Sequence, residues 1–190
     1  MTTRISAIIL AAGESRRFGK PKQLGWFRKE NLVQRATGTA LCRGLRPVVV
    51  LGANAGLIEP YIHPWVRIVH NLEWETGIAS SIRVGVSAME PDVDAVILML
   101  CDQPLVSGKI LSQFEARATA GLVAAEYNGT IGVPALFGRE FFEELKSLEG
   151  AEGAKKILLK HADRVVRIPC PEAALDVDTP EDLERVRTLD

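Results

Sequence analysis

A run of small residues and cations follows the first apolar segment of the chain. The small residues are Ala11, Ala12 and Gly13, and the next nine residues, 14–22, contain four cations and one anion. The cations are Arg16, Arg17, Lys20 and Lys22, and the anion is Glu14. This stretch therefore carries 4 − 1 = +3 charges in a chain whose formal net charge is −1. Small residues let a ligand approach the backbone, and clustered cations attract anions, so the stretch suits a polyphosphate.

Two familiar phosphate-binding motifs do not fit this stretch. The Walker-type loop needs G-x4-G-K-[ST], but the interval from Gly13 to Gly19 has one residue too many, and Pro21 follows Lys20. Proline offers no hydroxyl for magnesium and disfavours the helical conformation at the residue before it. The dinucleotide fingerprint G-x-G-x-x-G does not occur in the sequence. From these residues alone, a solvated charged turn remains the alternative to a phosphate loop.

Apolar runs alternate with helical segments through the first two thirds of the chain. Strands are predicted at 5–10, 48–51, 66–69 and 95–100, and helices at 30–42, at 57–62, from 77 onward and at 107–120. Continuous apolar runs are typical of strands that are buried on both faces. We therefore predict an α/β fold whose mostly parallel central sheet has helices on both faces. The most apolar run, AVILML at 95–100, should be the central strand.

The last third of the chain is less regular. Asn128-Gly129 separates two apolar runs, 122–127 and 131–137, and predicts a hairpin that makes the sheet partly mixed. Helices at 139–148 and 154–161 and a strand at 164–168 should follow. The run Thr179-Pro180-Glu181-Asp182 predicts the capped start of a last helix.

Length and composition set limits on the class of protein. The chain has 190 residues, of which 47% are hydrophobic and 25% charged, which suits one domain, 1–190. A net charge of −1 argues against a nucleic-acid surface, and no apolar run approaches the length that spans a bilayer. Three scattered cysteines indicate a reducing compartment, and the first strand begins too early to leave room for a signal peptide. We expect a cytoplasmic protein.

Polar residues follow the predicted parallel strands where ligands gather in such sheets. Asn54, Asn71 and Asp102 each come after a strand, and Asp176 and Asp178 precede the last helix. Asp102 would hold magnesium on a nucleoside triphosphate, although it could instead cap a turn before a proline. Magnesium takes one or two protein carboxylates, and the second would be Asp176 or Asp178 unless both only stabilise the helix start. We favour Asp178, because it directly precedes the cap.

Six motifs together resemble the molybdenum cofactor cytidylyltransferase family, a group of NTP transferases that is close to the molybdopterin-guanine dinucleotide synthases. They are LAAG at 10–13 with Arg17 and Lys22, NLEW at 71–74, Gly77 to Ser81, CDQP at 101–104, GVP at 132–134 and DVDTP at 176–180. The resemblance implies a three-layer, Rossmann-like nucleotidyltransferase fold with a nucleotide-binding N-terminal half and an acceptor-binding C-terminal half. It also implies transfer of CMP from CTP to molybdopterin, release of pyrophosphate and a requirement for Mg²⁺.

The resemblance also implies roles for particular residues. Arg17, Lys22 and Asp102 would be catalytic, and Asp102 and Asp178 would bind the metal. The nucleotide would contact Leu10, Ala11, Ala12, Gly13, Lys22, Asn54, Asn71, Gly77 and Ser80. The related guanylyltransferases usually have glycine and threonine where this chain has Ala12 and Gln103, which favours CTP over GTP.

Two departures from the family pattern leave alternatives open. Gly25-Trp26 stands where Leu-Leu is common, and Gly150 to Lys155 reads GAEGAK where G-D-x-G-A-R is common. Lysine clamps a phosphate less well than arginine, so the acceptor could be a different phosphorylated molecule. In that alternative the nucleotide could also be GTP or another nucleoside triphosphate. A catalytically silent, nucleotide-binding chaperone for a molybdoenzyme is the second class of hypothesis. In either case a molybdoenzyme apoprotein is a further candidate partner, whereas nucleic acid and membranes are not expected.

Overall fold

A seven-stranded sheet forms the centre of the computed structural model, which describes residues 3–189. Its strands are β1 (Ile5–Ala11), β4 (Arg46–Leu51), β5 (Arg67–His70), β6 (Ala95–Leu100), β7 (Leu122–Tyr127), β8 (Thr130–Gly138) and β9 (Val166–Pro169). They lie in the order β5-β4-β1-β6-β8-β7-β9, so β6 is the central strand, as predicted. Two short strands, β2 (Trp26–Phe27) and β3 (Glu30–Asn31), pair separately.

Only β8 runs antiparallel to its neighbours in this sheet. It pairs antiparallel with both β6 and β7, whereas the other pairings are parallel. The reversal follows from the turn at Asn128-Gly129, whose φ angles of 50° and 71° match the twist of a two-residue hairpin. The prediction of an α/β fold with a mostly parallel, partly mixed sheet is confirmed.

The described part of the chain contains seven α-helices, six of which lie between strands in the sequence and one of which follows the last strand. They are α1 (Leu32–Cys42), α2 (Ala55–Ile58), α3 (Ile78–Ser87), α4 (Gly108–Glu115), α5 (Phe142–Lys146), α6 (Lys155–Lys160) and α7 (Pro180–Arg187). The helix predicted at 107–120 ends earlier, because a separate 3-10 turn, Ala118–Ala120, leads into Gly121 at φ 74°. The predicted capped start of α7 is confirmed, since Thr179 and Asp182 form a capping box.

The two faces of the sheet carry separate hydrophobic clusters, which gives the fold three layers. Along β1, Ala7 and Ile9 point to one face and Ile8 and Leu10 to the other, as the pleat of a strand requires. The first face packs against α1 and α4, and the second against α3, α5 and α6. A third cluster joins Phe18 to α7. No helix within residues 3–189 combines the length and hydrophobicity that a bilayer span requires.

The position of α3 depends on a glycine at its contact with the sheet. A Cβ at Gly85 would lie 2.6 Å from Ile8 Cγ2 and 3.1 Å from Val50 Cγ2, in the buried face of β1 and β4. By contrast, a Cβ at Gly38 in α1 would meet nothing closer than 4.0 Å. The two helical glycines therefore differ in packing alone, which makes them a matched pair.

We expect Gly85→Ala to lower the free energy of unfolding by about 1–3 kcal/mol, because overpacking of a buried contact costs that much. Gly38→Ala should raise it by up to about 1 kcal/mol, since alanine favours a helix interior. Urea denaturation of both variants gives the comparison. Equal effects of the two substitutions would show that α3 can move away from the sheet at no cost.

Candidate active site

Four of the predicted site residues meet in one cluster of ion pairs. Lys22 Nζ lies 2.5 Å from Asp102 Oδ2 and 2.8 Å from Asp178 Oδ1. Arg17 Nη2 lies 2.8 Å from Asp178 Oδ2. The Lys22 and Asp102 side chains are only 14% and 13% exposed, whereas that of Arg17 is 71% exposed. The structure thus places the largely buried Lys22 between two carboxylates, with the exposed Arg17 at the outer side of the cluster.

Two parts of the chain that are distant in sequence form this cluster because the backbone joins them. Asp102 follows the end of β6, and its carbonyl oxygen accepts a hydrogen bond of 2.8 Å from the N–H of Val177. Val177 is fully buried in the cluster that contains Phe18. Asp182 of the α7 capping box accepts from the N–H of Asp178 at 3.2 Å. The start of α7 therefore fixes Asp178 beside the end of the central strand.

The charges in the cluster shift one another's ionisation. Burial alone would lower the pKa of Lys22, but the charge and hydrogen bond of Asp102, with a hydrogen bond from Lys22 to Asp178, raise it well above its usual value. Partial burial alone would raise the pKa of Asp178, but Lys22 and Arg17 lower it. Burial, and then the charge of Asp102, raise the pKa of Asp176 to about 6. Lys22 and Asp178 are therefore charged at neutral pH.

One carboxylate oxygen of the cluster fits a cation. Asp102 Oδ1 is buried and has no hydrogen-bond partner among residues 3–189. A buried anionic oxygen without a donor is costly unless a cation or water reaches it. Asp102 and Asp178 offer the hard oxygen ligands that Mg²⁺ and Mn²⁺ prefer. In the described part of the chain no three metal-binding side chains come together, so phosphate oxygens and water would complete such a site.

A cavity of about 270 Å³ adjoins this cluster at the carboxyl edge of β1 and β6. Seven predicted site residues line it: Leu10, Ala11, Ala12, Gly13, Lys22, Gly77 and Asp102. Its other lining residues are Gln23, Trp74, Ile78, Ser81, Leu100 and Cys101, none of which the sequence assigned to a role. Burial and the charge of Asp102 raise the pKa of Cys101 far above its usual value, which makes its thiol a poor nucleophile.

Three residues predicted to bind the nucleotide do not line this cavity. Asn54 is exposed, at φ 59° before α2. Asn71 is buried, and its Nδ2 donates to the hydroxyls of Ser80 and Ser81 at 2.7 and 3.0 Å. The Ser80 hydroxyl lies 2.7 Å from the carbonyl oxygen of Gly77, to which it can donate a hydrogen bond. Ser81, which follows Ser80 on α3, lines the cavity instead. Asn71 therefore holds the start of α3 in place from behind the cavity wall.

Gly77 has a structural role in addition to its place in the cavity wall. Its φ is 118°, and a Cβ there would lie 2.2 Å from the carbonyl oxygen of Gly150. The same oxygen accepts a hydrogen bond of 3.2 Å from the N–H of Ala79. The GAEGAK segment of the second half thus reaches the cavity by direct backbone contact with the start of α3.

Gln23 is a site residue that the sequence analysis missed. It is 1% exposed, and its Nε2 donates to the carbonyl oxygens of Ala11 and Gly13, both at 2.9 Å. Its Oε1 accepts from Ser15 Oγ at 3.2 Å, and the N–H of Lys22 donates to the same hydroxyl at 3.1 Å. In a trans peptide the N–H points away from the carbonyl oxygen of the same peptide group. By fixing the carbonyls of Ala11 and Gly13, Gln23 therefore also orients the N–H groups of these two peptides, which a phosphate would use. No spacing signal marks this glutamine in the sequence.

The fold and this cluster define a nucleotidyltransferase-type protein, with a small-residue loop, a lysine and two aspartates at the carboxyl edge of the sheet. A nucleotidyl transferase from Methanothermobacter thermautotroptrophicus has the same fold, with a TM-score of 0.81 at 22% identity over 97% of this chain and 96% of that one. The chain belongs to the MobA-like NTP transferase family, whose domain model matches residues 7–165.

The similar proteins have different names. The purine catabolism protein PucB of Bacillus subtilis (strain 168) is 29% identical, over 95% of this chain and 94% of that protein. Nicotine blue oxidoreductase of Paenarthrobacter nicotinovorans is also 29% identical, over 96% of each chain. The molybdenum cofactor cytidylyltransferase of Escherichia coli (strain K12) is 26% identical, over 94% of this chain and 93% of that protein.

Among solved structures, Rv0371c of Mycobacterium tuberculosis H37Rv is similar over 99% of this chain and 100% of that one. Its TM-score is 0.87 at 29% sequence identity. A structure of the same protein in complex with manganese has a TM-score of 0.83 at 27% identity, over 98% of this chain and 99% of that one. This similarity over whole chains shows a common fold.

We expect Gln23→Met to weaken the binding of nucleoside triphosphates about tenfold, a loss of about 1.4 kcal/mol. Methionine keeps the shape but leaves two loop carbonyls without their donor. Calorimetric titration with each nucleoside triphosphate measures the change. Gln34→Met is the control, because Gln34 closes the capping box of α1 and lies outside the cavity lining. Binding by Gln23→Met within twofold of the wild type would contradict the role of Gln23.

Proposed function

We propose that the protein transfers CMP from CTP to molybdopterin and releases pyrophosphate, as a cytoplasmic enzyme that depends on a divalent cation such as Mg²⁺. The observation that carries this proposal is the position of Lys22 between Asp102 and Asp178, beside a cavity walled by the small-residue loop. A lysine and a pair of carboxylates at one end of a cavity can bind phosphates directly and through a cation.

The loop residues favour a triphosphate in the cavity. Gly13 has open space around the position of a Cβ, which leaves its backbone approachable. Lys22 and Arg17 supply positive charge on the same side, and Gln23 holds the loop in shape. We assign to Lys22 and Arg17 the stabilisation of charge on the α-phosphate and on the departing pyrophosphate.

Asp102 and Asp178 are the residues that would hold the cation in this proposal. Support comes from the unpartnered Asp102 Oδ1 and from the manganese complex of the similar mycobacterial protein. When bound, a divalent cation would neutralise charge on the phosphates during transfer. Asp176 is the less suitable partner, because within residues 3–189 it forms no ion pair with Lys22 or Arg17 and is exposed.

The proposed reaction needs no side-chain nucleophile. A phosphate oxygen of molybdopterin attacks the α-phosphorus of CTP, a new P–O bond forms, and the bond to the β-phosphate oxygen breaks so that pyrophosphate leaves. The chain contributes by aligning the two substrates and by meeting the developing charge with Lys22 and Arg17. Positioning and electrostatics are the main sources of catalysis in such transfers.

The identity of the base is argued from the residues at the cavity wall. Ala12 lines the cavity and favours a smaller base there, which agrees with CTP. Gln103 is buried outside the cavity lining and donates to Ala173 O at 2.9 Å.

The acceptor would enter beside the GAEGAK segment, which contacts Gly77. Similarity to the Escherichia coli cytidylyltransferase supports molybdopterin, and a molybdoenzyme apoprotein would then receive the product. The comparable similarity to PucB keeps a different acceptor as the second candidate.

Pyrophosphate release, measured with each nucleoside triphosphate in the presence and absence of molybdopterin, tests the proposal. We expect release that requires molybdopterin and a divalent cation, with CTP preferred over GTP. Release with CTP but no dependence on molybdopterin would favour a different acceptor. Nucleotide binding without release under any of these conditions would support the silent chaperone instead.

The two candidate second ligands can be separated by substitution. Asp178→Asn should raise the metal concentration for half-maximal transfer at least about tenfold, a loss of about 1.4 kcal/mol, because it removes a carboxylate from the cluster. Asp176→Asn should change it by less than about threefold, since Asp176 is exposed and within residues 3–189 forms no ion pair with Lys22 or Arg17. Mg²⁺ titrations of the transfer rate give both values. Equal, mild effects would indicate that both aspartates serve only the start of α7.

A further inference from the structure

Lys22 is bound to the two carboxylates that would hold the cation. Its ammonium uses one oxygen of each, Asp102 Oδ2 at 2.5 Å and Asp178 Oδ1 at 2.8 Å, and its side chain is only 14% exposed. Arg17 holds the second oxygen of Asp178 at 2.8 Å. Three of the four carboxylate oxygens are therefore engaged by the protein's own cations, and only Asp102 Oδ1 is left.

The charges of the four ion-paired residues balance without any metal, and the exposed Asp176 takes no part in the ion pairs of Lys22 and Arg17 within residues 3–189. Lys22 and Arg17 contribute two positive charges, and Asp102 and Asp178 contribute two negative charges. A divalent cation entering alone would add two positive charges next to a buried ammonium, which is unfavourable in a poorly hydrated site. A triphosphate that enters with its cation is negatively charged overall, and it offers Lys22 and Arg17 new partners.

The backbone of Lys22 is fixed by hydrogen bonds, whereas its side chain borders both the carboxylates and the cavity. Its N–H donates to Ser15 Oγ at 3.1 Å, and its carbonyl oxygen accepts from the N–H of Gly25 at 2.7 Å. Lys22 also lines the cavity beside the small-residue loop. A change of rotamer is thus enough to carry the ammonium from the carboxylates to a ligand in the cavity.

We propose that Lys22 keeps the metal site closed in the nucleotide-free protein, and that its ammonium moves from Asp102 and Asp178 to the phosphates when a nucleoside triphosphate binds. This inference rests on the proposed function in one respect, the identity of the incoming ligand as a triphosphate. It gives Lys22 a second role, as the group that couples nucleotide binding to metal binding. It follows that the metal by itself binds weakly.

A purely structural ion pair makes the opposite prediction for the loss of Lys22. If Lys22 only held the two aspartates in place, its removal would loosen the carboxylates and weaken metal binding. If Lys22 competes with the metal, its removal frees two ligand oxygens and a negative charge, and metal binding becomes tighter. The sign of the change therefore separates the two roles.

The experiment measures the binding of Mn²⁺ alone, without nucleotide, by electron paramagnetic resonance of the free ion. We expect Lys22→Met to bind Mn²⁺ at least about tenfold more tightly than the wild type. Lys20→Met is the matched control, because it removes the same charge from an exposed position of the same loop. It should change the affinity by less than about threefold, since solvent screens exposed charges. Binding by Lys22→Met that equals or is weaker than that of the wild type would overturn the proposal.

A double variant identifies the ligands that Lys22 protects. In Lys22→Met with Asp178→Asn, the gain in Mn²⁺ affinity should be lost, because one of the freed carboxylates is gone. Retention of the full gain would contradict the proposal. This variant also leaves Asp102 and Arg17 as opposite charges, which limits the loss of stability that an uncompensated carboxylate causes.

Thermal unfolding covers the case in which Lys22→Met folds poorly. Mn²⁺ should raise the midpoint of this variant by several degrees more than that of the wild type, because a bound ligand stabilises the folded state. An equal or smaller shift of the unfolding midpoint would contradict the proposal that Lys22 competes with the metal. These measurements need no nucleotide and no turnover, so a wild type that releases no pyrophosphate would refute the proposed reaction and leave the Mn²⁺ result to be judged separately.

Discussion

The ion pairs of Lys22 with Asp102 and Asp178 are the interaction on which the site depends. Each partner comes from a different place: the loop after β1, the end of β6 and the segment before α7. Charges that are largely buried are tolerated only when they are paired and hydrogen-bonded, so the three segments must stay together for any one of them to be stable. In the proposed function the same proximity would place an anion-binding group and two cation-binding groups side by side. Stability and chemistry thus rest on the same contacts.

Uncharged contacts hold this centre in shape. The N–H of Val177 binds the carbonyl of Asp102, and Phe18 packs in one cluster with Val177 and with α7. The side chain of Gln23 fixes the loop by donating hydrogen bonds to the carbonyls of Ala11 and Gly13. Hydrogen bonds to backbone groups specify direction, while apolar burial supplies most of the free energy. The proposed recognition of phosphates would need such a rigid loop, since it would depend on the directions of a few backbone N–H groups.

The relatives of this chain carry names that refer to different processes. Proteins named for purine catabolism, for nicotine blue and for molybdenum cofactor cytidylylation are each 26–29% identical to this chain over nearly its full length. A shared fold does not set the substrate, which depends on the few residues that touch it. In the proposed function the GAEGAK segment would face the acceptor, and it differs from the G-D-x-G-A-R pattern that is common in the cytidylyltransferase family. The contact of Gly150 with Gly77 joins this segment to the start of α3.

The sequence by itself determined the fold class and the types of residue that form the candidate site. Continuous apolar runs, the Asn128-Gly129 turn and the Thr179 cap act over a few residues, so local physics was enough to predict the strands, the hairpin and α7. Only the tertiary structure decided which polar residues meet. Ser81 and not Ser80 lines the cavity because α3 has a particular rotation, and Gln23 matters because its side chain folds back under its own loop. Side-chain direction and contacts between distant segments are set by packing of the whole chain, which no short stretch of sequence specifies.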